Sequence, residues 1–176
     1  MARYLLLVAA LCAARVAIPA EPGMGSGGCA DYAWDMKREF FLLGAPPLSV
    51  DTLAEPAEDA RFTPLDRPIL AGLRPQAEVK LLAQPGRDHG AAAKHAGLMR
   101  LVVPRVSTYR ISSDQRLWIE VIGPQGAVKS SKFEMQTGCD KLVKSVAFRL
   151  EQDTTYWLQL AGSPVREPML LITLDR

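Results

Sequence analysis

The sequence predicts an all-β protein: an antiparallel β-sandwich of jelly-roll type, preceded by one short helix. Three observations lead there. From Ala77 onward, short runs of alternating apolar residues are separated by Gly, Pro, Asp and Ser, the pattern of half-buried strands and tight connections. No stretch of helical period and length lies between them, which excludes βαβ units and a parallel sheet. The alternating positions also supply enough apolar side chains for one core shared by two sheets.

The elements follow in chain order. Met1-Ala2-Arg3, the apolar run Tyr4 to Ala14 and the small-residue stop Ile18-Pro19-Ala20 read as a signal peptide over 1–20. The run is too short to span a bilayer, and no later stretch approaches ~20 apolar residues. Residues 21–76 form an N-terminal helix and a proline-rich extended segment. Asp31 is expected to cap a helix in which Ala33, Met36, Phe40 and Leu43 share a face, and Gly44-Ala45-Pro46-Pro47 stops it. Six prolines between Gly44 and Gln76 leave room for at most an edge strand near Leu48–Leu53.

Residues 77–176 form the sandwich body, and 21–176 folds as one domain. Strands are expected at Glu78–Leu82, Leu98–Val103, Thr108–Ser112, Arg116–Ile122, Val128–Met135, Val143–Glu151, Thr155–Ala161 and Met169–Leu174. Gly123-Pro124-Gln125-Gly126 joins two of them as a turn. Period-2 alternation sends Val79, Leu81, Met99, Leu101, Val103, Tyr109, Ile111, Leu117, Ile119 and Val121 inward. The later strands add Phe133, Met135, Val146, Phe148, Leu150, Tyr156, Leu158, Leu160, Leu170, Ile172 and Leu174.

Charge narrows the function classes. Without Arg3 and Arg15 the 21 basic residues fall level with the 19 acidic ones, so the exported chain is near neutral and lacks a nucleic-acid footprint. The chain has no asparagine, hence no N-glycosylation acceptor. Export to the periplasm or beyond leaves Cys29 and Cys139, and two thiols in an oxidising compartment have one pairing available. That bridge would staple the N-terminal segment to the body, worth about 4–5 kcal/mol in the chain-entropy model. A metal site is the rival use, but no CxxC partner stands near either cysteine.

The outward parity carries the candidate ligand-binding residues. Trp118 alternates with Glu120 and Ile122, Trp157 alternates with Gln159, and Arg100, Arg110, Lys144 and Arg149 are assigned the same side. Indole faces beside carboxylate, amide and guanidinium groups suit a glycan, whose C–H faces stack while its hydroxyls take the polar groups. The competing reading is that the N-terminal helix or the proline-rich segment covers these tryptophans with Phe40, Phe41 and Trp34.

Other motifs carry less. Gly23-Met24-Gly25-Ser26-Gly27-Gly28 spells a dinucleotide fingerprint, but no strand precedes it and no βαβ unit follows. Glu55, Glu58 and Asp59 lie in the proline-rich stretch and read as solvated carboxylates. His89 and His95 share a loop with Asp88, the one set from which a metal site could be built, although surface histidines are the commoner case. No nucleophile elbow, EF-hand or P-loop is present. No catalytic residue and no cofactor are expected.

Cys29 followed by Trp34 and Glu39, and Thr137-Gly138-Cys139 leading into Lys144-Ser145-Val146-Ala147-Phe148, resemble a family of small, secreted, uncharacterised proteobacterial proteins. The strand order after Gly97 is similar to bacterial pre-peptidase C-terminal modules, which implies a β-sandwich. Members sometimes carry a homogentisate 1,2-dioxygenase label, which would imply an iron centre of two histidines and a carboxylate. The reading that results is a non-catalytic secreted binding or accessory module whose partner is a glycan or an envelope protein. The alternatives are a metal-dependent oxygenase-like enzyme or a structural subunit of an envelope complex.

Overall fold

A computed structural model describes residues 24–25, 28–86 and 94–175. The expected signal peptide, Asp88 and His89 lie outside the described residues. The strands are β1 (Met24–Gly25), β2 (Leu48–Asp51), β3 (Ile69–Gly72), β4 (Arg74–Pro75), β5 (His95–Leu101), β6 (Ser107–Ser113) and β7 (Trp118–Gly123). They continue as β8 (Gly126–Ala127), β9 (Ser130–Gln136), β10 (Lys144–Leu150), β11 (Tyr156–Ser163) and β12 (Met169–Leu174). One helix, α1 (Lys37–Leu42), and two 3-10 turns, at Cys29–Asp31 and Gln76–Glu78, complete the described elements.

The strands form a β-sandwich. A seven-stranded sheet runs β1-β9-β10-β6-β12-β3-β2, and a five-stranded sheet runs β4-β5-β11-β7-β8. Pairing is antiparallel except at the two margins of the larger sheet, where β1 lies parallel to β9 and β2 parallel to β3. Alternation builds the core between the sheets: Met99, Leu101, Ile119, Val121, Leu158 and Leu160 from one side meet Tyr109, Ile111, Val146, Phe148, Leu170 and Ile172 from the other. Pro124 and Gln125 close the tight β7–β8 hairpin, as expected.

Several expectations need correction. The segment Glu78–Leu82 is not a strand. Pro75 and Pro85 bracket it, and Val79 and Leu81 pack on the outside of the five-stranded sheet with Ala96, Leu98 and Ala161. Conversely, β3 is a core strand, with Ile69 and Ala71 buried and Leu73 buried just beyond its end. Pro68 stands just before it, where its missing N–H is not required. Phe133 is in register with core Val146 but stays 46 % exposed, because β9 lies towards the margin of the wider sheet. Lys144 points to the core side, sharing parity with Val146; it crosses the sandwich and donates to the Leu117 carbonyl at 2.9 Å.

The helix is shorter than its pattern suggested. Asp31 falls in the first 3-10 turn and does not cap it; Asp35 Oδ1 accepts from the Lys37 N–H at 3.0 Å instead. Met36 and Glu39 form its buried face, while Phe41 points outward, 82 % exposed.

Cys29 and Cys139 are disulfide-bonded across 110 residues of sequence. Around the bridge, Tyr32 donates its hydroxyl to the Leu142 carbonyl at 2.8 Å, and Gln136 Nε2 donates to the Asp31 carbonyl at 2.8 Å. The staple therefore holds a segment that also has its own contacts with the sheet. Cys139→Ala is expected to lower stability by about 2–5 kcal/mol, read as a fall in Tm, and to speed proteolysis within residues 28–43. An unchanged Tm with an unchanged digestion pattern would show that those contacts suffice without the bridge.

Candidate functional site

Both sheets have outer faces, and the candidate residues divide between them. Arg110, on β6, belongs to the seven-stranded sheet and lies on the opposite side of the sandwich from Trp118 and Trp157. It is 6 % exposed. Its guanidinium donates to Glu39 Oε1 at 3.1 Å and to the Asp35 carbonyl at 3.0 Å, and it also pairs with Asp175. Thr173 Oγ1 donates to the same Glu39 oxygen at 2.6 Å, and the Trp34 ring lies over the guanidinium at 5.0 Å. Arg110 thus anchors the N-terminal segment. Arg149 stays exposed on that sheet.

The other five residues do come together on the outer face of the five-stranded sheet. Trp157 is in register with Arg100 on β5, Gln159 with Glu120 on β7, and Ala161 with Trp118. This face is covered, though by neither Phe40, Phe41 nor Trp34. The chain from Val79 to Gly86 crosses it as a strap, and Val79, Leu81 and Leu82 pack against Leu98, Ala161 and the two tryptophans.

Gln159 fastens the strap. Its side chain is fully buried; Oε1 accepts from the Leu82 and Ala83 N–H groups at 2.6 and 3.1 Å, and Nε2 donates to the Ala83 carbonyl at 2.8 Å. One amide thereby satisfies three backbone groups that no neighbouring strand reaches. Gly86 lies so close to the Trp118 ring that a Cβ there would sit 3.0 Å from it. Trp118 is therefore roofed by backbone. The Lys144 ammonium lies 5.0 Å from the same ring.

Glu120 and Lys144 are electrostatically linked. Burial pushes the Glu120 carboxyl above its ordinary value of 4.5, with the Lys144 charge pulling it back. Burial likewise holds the Lys144 ammonium below its ordinary 10.5, opposed by Glu120.

Trp157 has a different outcome. It is half-buried, packing partly against the outer apolar cluster and partly lining a shallow cleft of about 370 Å³. Arg100, Thr155, Pro56, Ala57 and Glu58 form the rest of the cleft. Its wall is the proline-rich segment, which runs along the margin of β5 through bridges from Leu53 to Leu98 and from Phe62 to Arg100. Thr52 packs so tightly there that a Cβ on Gly97 would lie 2.1 Å from its hydroxyl. The sequence alone does not signal this wall, because its residues lack strand periodicity and reach β5 from about forty positions away.

Of the donors expected for an iron centre, His89 and Asp88 lie outside the described residues. His95 lies on β5 in register with Pro75, and it is the only one of His89, His95 and Asp88 described. The metal-like grouping among the described residues is Cys29, Cys139 and Asp140, whose two sulfurs are bonded to each other. No family model matches this chain, and no curated protein or solved structure matches it significantly.

Two outcomes test this geometry. Gln159→Leu leaves the Leu82 and Ala83 backbone groups unpartnered, and a loss on the order of 1–3 kcal/mol with faster cleavage of the strap is expected in denaturant melts and limited proteolysis. The raised carboxyl of Glu120 means that its contribution to folding is fully present below the ordinary glutamate pKa. It is lost as pH rises through the folded value. Glu120→Gln is thus expected to raise Tm at about pH 7 and to change it little at about pH 3. A lower Tm at neutral pH would mean that attraction to Lys144 outweighs burial.

Proposed function

We propose that this chain is an exported, non-catalytic binding module that takes a saccharide against Trp157. The carrying observation is the cleft itself: a half-buried indole that lines it together with Arg100, Thr155 and Glu58, on the margin of the five-stranded sheet. An indole offers a flat apolar surface for sugar C–H groups, and the polar neighbours supply donors and acceptors for hydroxyls. Export is supported by the n-region, apolar run and small-residue stop at the N-terminus and by a disulfide, which persists in oxidising compartments. Among the described residues no helix is long and apolar enough to cross a membrane.

The site is narrower than the whole tryptophan face. Gln159 is engaged with the strap, and Trp118 lies beneath Gly86, so ligand recognition centres on Trp157. A second reading, an accessory subunit docking on an envelope protein, draws on Phe41, which projects from α1 with 82 % of its surface exposed.

Titration with envelope oligosaccharides, followed by tryptophan fluorescence, tests the first reading. A saturable change is expected, weakened at least about tenfold, on the order of 1.4 kcal/mol, by Trp157→Ala and untouched by Phe41→Ser. No saturable response from the intact protein would remove the saccharide reading and leave the docking one.

A further inference from the structure

Arg100 carries an inference that deepens the saccharide reading and rests on it. One side of its guanidinium is occupied: Nη1 donates to the Glu58 carbonyl and, at 3.4 Å, to the Ala60 carbonyl. Its plane is supported too, with the Phe62 ring centroid 4.5 Å from Cζ. No carboxylate pairs with it among the described residues. Among the described residues Nε and Nη2 make no hydrogen bond or ion pair, neither is a buried unpartnered atom, and the residue lines the cleft.

A guanidinium fixed in this way presents the Nε–H and Nη2–H pair in parallel. That fork matches the two oxygens of a carboxylate, and holding it in place beforehand reduces the ordering cost of binding. Trp157 stands in register beside Arg100 and lines the same cleft, as does Thr155. Glu58 is the one acidic residue among the described residues of the cleft; it is exposed, so water and salt screen its charge.

We propose that the cleft selects an acidic saccharide, a uronate whose ring lies on Trp157 and whose carboxylate is held bidentate by Arg100. The two contacts recognise different parts of one residue, and selectivity comes from the fork. Lysine in place of Arg100 keeps the charge but lacks the two parallel donors.

The test compares an oligouronate with the same oligosaccharide after reduction of its carboxylates to alcohols, by calorimetric titration. The oligouronate is expected to bind at least about tenfold more tightly than the reduced form. Arg100→Lys should remove most of that difference, weakening the oligouronate far more than the reduced form. Phe62→Ala, at an exposed position that does not threaten the fold, should lower oligouronate affinity by loosening the guanidinium. Equal affinity of the intact protein for the two forms would overturn the acidic preference and leave the saccharide reading in place. Binding of neither form would overturn both.

Discussion

Two sheets share one core, so each has a second face, and in this chain neither second face is fit to stand in water. The five-stranded sheet turns Ala96, Leu98 and Ala161 outward, and the seven-stranded sheet turns Ala147 and Leu171 outward beside buried Ser112 and Ser145. Leaving such surfaces wet would forfeit roughly 25 cal/mol for each Å² of apolar area. The chain answers with two irregular covers: residues 28–43 over the larger sheet and the strap from Val79 to Gly86 over the smaller. The candidate site, the disulfide and the buried charges all follow from how those covers are attached.

The two attachments use different physics. An irregular cover cannot pair its backbone along a strand, so its polar groups need side-chain partners from the sheet beneath. On the larger sheet, Glu134 Oε1 accepts from the Ala33 N–H at 2.7 Å and Arg110 takes the Asp35 carbonyl and Glu39. A buried ion pair adds little net stability against an apolar replacement, but removing one partner costs about 3–5 kcal/mol. It fixes where the cover sits more than it holds it on; the Cys29–Cys139 bridge does the holding by restricting the unfolded chain. The strap is a shorter cover, and the neutral amide of Gln159 places it without burying a charge.

Much of this was legible in the sequence. Period-2 alternation found the body strands and nearly all of their core residues, because a sheet face is a local property of the strand that carries it. The same bookkeeping failed where a residue's environment came from elsewhere. Phe133 has core parity but lies towards the margin of the wider sheet, and nothing within β9 encodes the width of the opposing sheet. Val79 and Leu81 alternate like a strand, yet the segment finds an amide where a strand would find a neighbour. The prolines that argued against order between Gly44 and Gln76 hid β3, since Pro68 precedes that strand and does not interrupt it. Parity also merged Arg110 with the tryptophans, because it tells inside from outside without telling one sheet from the other.

Arg100 and Arg110 make that last point chemical. They have the same side chain and the same outward parity, and each lies beside an aromatic ring. What separates them is the covering segment that each meets. The N-terminal cover brings Glu39, and the end of β12 brings Asp175, so the charge of Arg110 is neutralised and its role is internal. The proline-rich segment brings Arg100 two main-chain carbonyls and a phenyl ring, which orient a guanidinium without neutralising it. A cation held in place by neutral groups, with one edge towards a cleft, is an unfinished interaction. Folding accounts for its position, whereas on the saccharide reading proposed above its unbalanced charge is left for a ligand to meet.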